Sequence, residues 1–193
     1  MTKQLRTLDL YQTFPWTAVL VTCVDPERGP NILTIAWTGV LCAQPPTVYI
    51  AVRRGKYSLR ALRETNEFVV NVPNEDLLSK TDYCGDVSGS KFNKWEEAGL
   101  TPEPATKLST PMIAECPINL ECKVTNVMSI GSHEVFFGEV VAIHADDSIL
   151  DEAGKLQVNA LRPLIYHCHA YWGLRDGTLG RRGLGVKMKA GAK

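Results

Sequence analysis

An antiparallel barrel or closed sheet carrying short helical insertions is the fold this sequence predicts. Three observations predict it. Runs compatible with β-structure dominate the chain and are parted by Pro- and Gly-rich turns. Helical spacing of apolar residues is confined to short stretches. The regular alternation of strand and helix that a parallel sheet requires is missing. At 193 residues, the chain suits one domain or little more.

The elements follow in order. Residues 17–25, 31–39 and 47–53 form three β-rich runs, separated by turn signals at Asp25-Pro26-Glu27-Arg28-Gly29-Pro30 and Gln44-Pro45-Pro46; consecutive antiparallel strands are predicted. The period then changes. Leu59 and Leu62, with Ser58 as an N-cap and Asn66 as an end signal, predict a short helix over 58–66. Phe68 to Val72 returns to strand. Asn74 to Tyr83 and Lys91 to Ala98 read as short helices, the second closed by Gly99, within an insertion rather than a second domain. Residues 112–130 and 135–145 predict a hairpin of long strands around Gly131-Ser132-His133-Glu134. Residues 161–174, rich in aromatics, supply a last strand. Residues 1–174 thus form the domain and 175–193 a Gly-rich basic tail.

Composition narrows the function. Apolar residues make up 45% and charged residues 22%, with 21 Lys+Arg against 21 Asp+Glu; this is ordinary globular composition without the basic excess of a nucleic-acid-coating protein. The zero net charge is a cancellation, because six basic residues against Asp176 give residues 175–193 a net of +5, leaving the body at −5. No apolar stretch approaches the ~20 residues a membrane helix needs, and the N-terminus lacks the apolar core of a signal peptide. The six cysteines fall without a C-x-x-C pair, so reduced thiols in a cytoplasmic protein are expected. No G-x-G-x-x-G, P-loop or G-x-S-x-G motif occurs.

Several constellations could carry chemistry. Arg53-Arg54-Gly55-Lys56-Tyr57-Ser58 is a basic turn entering a helix, where free amides and the helix dipole favour a phosphate; a solvated turn with Ser58 only capping explains the same residues. Asn31, Leu33, Ile35 and Trp37 share one strand face by period two, a surface for a planar ring or simply part of a core. Lys91 and Lys94 open a helix three residues apart, able to reach a phosphate or a carbonyl-rich ring or merely to solvate a surface. His133 sits in a turn, exposed and able to donate to an anion or ring. His167 and His169 share a strand face; metal ligation there is permitted by geometry but unsupported by any ligand spacing.

The ordered segments P-W-T-A-V-L-V-T (15–22), N-I-L-T-I-A-W-T-G (31–39), P-P-T-V-Y-I-A-V-R (45–53), K-Y-S (56–58), E-F-V-V-N-V-P (67–73), T-D-Y-C-G (81–85), S-G (88–89) and G-S-H-E-V-F-F-G-E-V-V (131–141) together resemble the flavin reductase-like family, and within it the flavoredoxins most of all. The resemblance runs from about Phe14 to Gly173 and rests on the order of the motifs. It implies a mainly β (α+β) fold, an antiparallel FMN-binding split β-barrel with short helical insertions, assembled as a homodimer with the flavin at or near the interface. The flavin contacts it implies fall on Asn31, on Thr34, Ile35, Ala36, Trp37 and Thr38, and on Arg53, Lys56, Tyr57 and Ser58 near the phosphate. They extend to Lys94, to His133 and to Tyr166 near the ring system.

The activity implied is that of an FMN-binding redox protein, with NADH or NADPH as electron donor and no catalytic side chain beyond those that hold the flavin. Its partners would be a second copy of the chain and a redox protein or oxygenase, with neither nucleic acid nor membrane involved. Two other readings stay open: a flavoredoxin-type electron carrier that does not use the nicotinamide directly, and a non-redox module binding haem or another planar ligand, with His167 or His169 as axial ligand. The basic tail could guide a charged partner or cover a neighbouring subunit's pocket.

Overall fold

The computed structural model describes residues 12–175 and 177–179. Its strands, in chain order, are β1 (Trp16–Thr17), β2 (Val19–Asp25), β3 (Gly29–Ile35), β4 (Thr38–Ala43), β5 (Pro46–Arg53), β6 (Glu67–Val72), β7 (Pro102–Glu103), β8 (Met112–Ile113), β9 (Ile118–Ile130), β10 (His133–Ala145), β11 (Ile165–His167) and β12 (Ala170–Trp172). Four short helices intervene, α1 (Ser58–Thr65), α2 (Leu78–Asp86), α3 (Lys94–Glu97) and α4 (Val158–Leu161). Seven strands form one antiparallel sheet in the order β3-β2-β6-β9-β10-β5-β4.

That order closes on itself. β3 and β4 are opposite edges of the sheet, yet only Ala36 and Trp37 separate them in the chain. Ile35 and Thr38 are three Cα steps apart, at most about 11 Å, so the two edges must adjoin and the sheet curls into a barrel. At the seam β5 runs past the start of β4, and the Ala51 amide donates to the Trp37 carbonyl at 2.9 Å. The expected barrel with helical insertions is therefore what the chain builds, but the single strand expected over 31–39 is two. Closure requires the bend, and it takes Trp37 off the face of Asn31, Leu33 and Ile35.

The barrel interior is filled by Val19, Val21, Leu33, Ile35, Ile50, Val52, Phe68 and Phe136, the inward set of strands that alternate as a pleat demands. α1 covers one end with Leu59 and Leu62. It stops at Asn66, in the left-handed region with φ 55°, whose amide donates to Leu62, as its position in the sequence predicted. A second cluster lies outside the barrel, where Leu20 and Ile32 meet Leu77, Cys84 and Trp95 from the α2–α3 insertion. β2 and β3 are thus buried on both faces, which explains their nearly continuous apolar runs.

Three further expectations are corrected. Ser58 is the first helical residue rather than the cap; its side chain is buried and its Oγ accepts a hydrogen bond from Asn31 Nδ2 at 2.8 Å. The final strand expected over 161–174 is α4 followed by the β11–β12 hairpin, in a separate sheet with β1. Cys168 and His169 form its turn with φ of 52° and 58°, so His167 and His169 do not share a strand face, and His167 Nδ1 lies 3.0 Å from the Phe14 carbonyl. The run 112–130 is interrupted after Ile113, where the β7–β8 pair peels away from the barrel. All six cysteines are unpaired, and no helix of the described residues is long and apolar enough to cross a membrane. Apart from Arg175 and residues 177–179, the basic tail lies outside the described residues.

One buried carboxylate ties a long loop to the barrel. Glu121 on β9, fully buried, accepts from the amides of Thr106, Lys107 and Leu108 and from Thr106 Oγ1, and meets His144 Nε2 at 2.7 Å. Burial by itself would raise its pKa, but His144 and these donors outweigh that and hold it at about 2. Because the folded value lies below the unfolded one, this stability is complete above the ordinary glutamate range and drains away as pH falls toward 2. Replacing Glu121 by Gln should cost about 3 kcal/mol and lower the melting temperature by roughly 10 °C. Urea titrations at pH 7 and pH 3 should show the native chain losing more stability on acidification than Glu121→Gln.

Candidate functional site: a cleft at the barrel seam

A cleft of about 690 Å³ opens where β3 crosses to β4, within the size range of small-ligand sites. Its wall is assembled from distant parts of the chain. Thr34 and Ile35 come from the end of β3, Ala36 and Trp37 from the crossover, Arg53, Lys56, Tyr57 and Ser58 from the passage between β5 and α1, Lys94 from α3, His133 from β10 and Tyr166 from β11. These residues, singled out separately along the sequence, surround one space. Asn31 and Thr38 do not line it. Asn31 lies behind the wall, bonded to Ser58, and Thr38 Oγ1 is turned to the Tyr49 carbonyl at 2.6 Å.

The crossover and the first residue of β10 meet. The rings of Trp37 and His133 are 4.5 Å apart at 34°, a tilted aromatic pair on the cleft wall. His133 was expected to be an exposed turn residue; the turn is only Gly131 and Ser132, and His133 is a half-buried strand residue paired with Arg53 across the sheet. Burial first, and the Arg53 charge second, push its pKa below the usual histidine value, which keeps the ring neutral at pH 7.

The basic turn supplies the opposite chemistry. Arg53, Lys56 and Ser58, the first residue of α1, lie together on the lining, so the positive end of a helix dipole and two cations share one region. Tyr57 is turned toward Asp25; burial, and then that carboxylate, raise the phenol's pKa. Asp25 in turn holds Arg60 at 2.8 Å.

Lys94 is a structural anchor. Its buried Nζ donates to the Ile32 carbonyl at 2.8 Å and to the Cys84 carbonyl at 2.7 Å, which leaves at most one of three donors for the cleft. Burial lowers its pKa to about 8. Through these two bonds Lys94 fastens the end of α2, and hence the segment 84–89, against β3.

That segment, named above only among the motifs of the resemblance, is one wall of the cleft. Asp82, Cys84, Gly85, Asp86, Val87, Ser88 and Gly89 all face the cleft, as do His169 and Tyr171. The glycines were a readable signal, because a Cβ on Gly85 would come within 3.2 Å of Thr34 and one on Gly89 within 2.1 Å of Asn31 Oδ1. Only bare backbone packs so closely on β3. Tyr171 stands opposite Tyr166 in the β11–β12 register, their rings 5.2 Å apart edge to face; burial and neighbouring Asp82 raise its pKa. Among the described residues no group of His, Cys, Asp and Glu is arranged to hold a metal ion.

The barrel closed across this two-residue seam is a split barrel of the flavin reductase-like class. The chain belongs to the flavin reductase-like family, whose domain model matches residues 11–175. Among solved structures it is similar to the flavoredoxin of Desulfovibrio vulgaris (Miyazaki F), with a TM-score of 0.86 at 28% identity over 96% of this chain and 100% of that one. The flavoredoxin of Methanosarcina acetivorans is similar with a TM-score of 0.84 at 27% identity over the same shares. An uncharacterized protein of Archaeoglobus fulgidus is 35% identical over 136 residues, 70% of this chain and 76% of its own length.

The anchoring role of Lys94 gives a clear expectation. Lys94→Met strands two buried carbonyls and should lower stability by about 2–4 kcal/mol, read as a shift of the urea midpoint. Lys91→Met, on the exposed side of the same segment, should leave the midpoint in place.

Proposed function

We propose that this chain is a flavin-binding redox protein of the reductase type, holding FMN in the seam cleft and taking its electrons from NADH or NADPH. The observation that carries the reading is the composition of the cleft wall, the Trp37–His133 ring pair and a cationic helix start on one space large enough for a flavin. In this reading Arg53, Lys56 and the α1 N-terminus hold the phosphate, with Ser58 held in place by Asn31. Trp37, the 34–37 backbone and Tyr166 flank the ring system. FMN, when bound, supplies the hydride- and electron-transfer chemistry. The protein's share is to bind, orient and shield: His133, neutral beside Trp37, offers a hydrogen bond without adding charge, and the 84–89 segment excludes water from one side.

The arrangement of the described charges fits this division of labour. Cations gather at the turn before α1, whereas Asp82 and Asp86 lie on the α2 side of the cleft. A dianionic phosphate is thereby drawn to one region only. Replacing both Arg53 and Lys56 by Gln should weaken FMN roughly tenfold or more while leaving riboflavin, which lacks the phosphate, nearly unchanged. Anaerobic mixing of the FMN-loaded protein with NADH or NADPH should bleach the flavin absorbance. A flavin that stays oxidised with both donors, yet is reduced by a protein or chemical donor, would assign the chain to electron carriage. A Soret band in the purified protein would point instead to haem.

Self-association belongs to the same reading. The β9-β10-β5-β4 half of the barrel exposes Val40 and Leu41 on β4 and Val127, Met128 and Ile130 on β9. An apolar surface on this scale marks a partner site. His133 and Trp37 adjoin it through β10 and the start of β4, so a second copy seated there would help enclose the flavin. Light scattering at micromolar concentration should give twice the chain mass. Leu41→Asp combined with Met128→Asp should give monomers with weakened flavin binding; a native chain that is monomeric throughout the concentration range would sink this part of the proposal.

A further inference from the structure

A second cleft, of about 610 Å³, adjoins the first. The two share Tyr57, Gly89 and Lys94 on their walls, and one continuous segment, 84–96, runs along both. At Gly89 the ridge between them is bare backbone lying directly on Asn31. The junction falls beside the start of α1, the region assigned above to a phosphate.

The lining of this second cleft differs from that of a packing defect. It presents the cations Arg28 and Lys91 and the aromatic rings of Tyr57 and Phe92. The Arg28 guanidinium stands 6.0 Å from the centre of the Tyr57 ring and donates to the Ser90 carbonyl at 2.9 Å, so its position is set. Lys91 has no carboxylate partner among the described residues, and Phe92 is 43% exposed. Glu96 is the one carboxylate on the wall. A fixed and a free cation beside the exposed Phe92 ring suit a phosphorylated purine, through charge on the phosphates and stacking on the base.

We propose that the second cleft seats the adenosine diphosphate end of a ligand whose redox ring occupies the first. The inference rests on the flavin reading of the first cleft. FMN ends at its phosphate and cannot use the second cleft; a ligand that continues through a second phosphate to adenosine reaches it over Tyr57 and Gly89. Two sources carry that group, FAD and a nicotinamide dinucleotide.

Binding titrations of FMN, FAD and ADP to the flavin-free and FMN-loaded protein separate the outcomes. If FAD is the source, it should bind several-fold more tightly than FMN, and Lys91→Ala with Phe92→Ala should erase that advantage and leave FMN affinity unaltered. If a nicotinamide dinucleotide is the source, FAD and FMN should bind alike, while the FMN-loaded protein takes up ADP in competition with NADH or NADPH and the same double variant abolishes that uptake. Equal FMN and FAD binding with no ADP uptake overturns the proposal, as does a double variant that weakens FMN as much as FAD. Failure to bind FMN would sink the flavin reading; ADP uptake lost in the double variant would still sustain the second cleft as an adenosine diphosphate site.

Discussion

Everything in this molecule depends on the two-residue crossover at Ala36–Trp37. A seven-stranded antiparallel sheet left open would expose two edges of unpaired amides and carbonyls. Joining edge strands β3 and β4 through so short a link forces those edges together and fixes the diameter of the barrel. The same geometry leaves a seam where the pleat is interrupted, and a concave surface forms there. Trp37 stands at that seam because the backbone turns at it, not because a strand face carries it.

The remaining parts of the site are held in relation to the seam by polar contacts that would be costly to break. Lys94 ties α2 and β3 through two carbonyls, Asn31 ties β3 to the start of α1, and the Gly85 and Gly89 backbone rests on Thr34 and Asn31. On the far side of the barrel Glu121 gathers three consecutive amides of the 104–109 loop. Buried charges need hydrogen-bond partners: Lys94 gives two of its three donors to main-chain carbonyls, and Glu121 accepts from three main-chain amides and the Thr106 hydroxyl beside His144. These bonds position rigid walls around the cleft, which is what a ligand performing its own redox chemistry requires of its host.

Much of the site was legible along the chain. The basic turn 53–58, Trp37 and His133 were recognisable as residue types suited to a phosphate and a ring, and the order of the motifs joined them to one family whose pattern added Tyr166. Other features were not legible for definite physical reasons. Ser58 resembles a cap in sequence, but Asn31, a neighbour only across the barrel, claims its hydroxyl. Lys94 lines the cleft, but its hold on two main-chain carbonyls was not legible because burial is invisible in a sequence. His169 looked like a strand residue because nothing in Cys168-His169 announces a left-handed turn, a conformation non-glycine residues enter only when the surrounding fold holds them there.

By itself, then, the sequence determined the barrel class, through period-two runs and turn residues that act locally, and the identity of the helix-start turn, whose chemistry lies in six adjacent residues. Tertiary structure alone decided which edges meet, that the crossover splits one apparent strand in two, and that residues as far apart as Thr34, Lys94, His133 and Tyr171 enclose one space. The reason is the range of the forces concerned. Backbone propensity and turn chemistry act over a few residues, whereas barrel closure is a constraint on the whole sheet, satisfied only once all seven strands have paired.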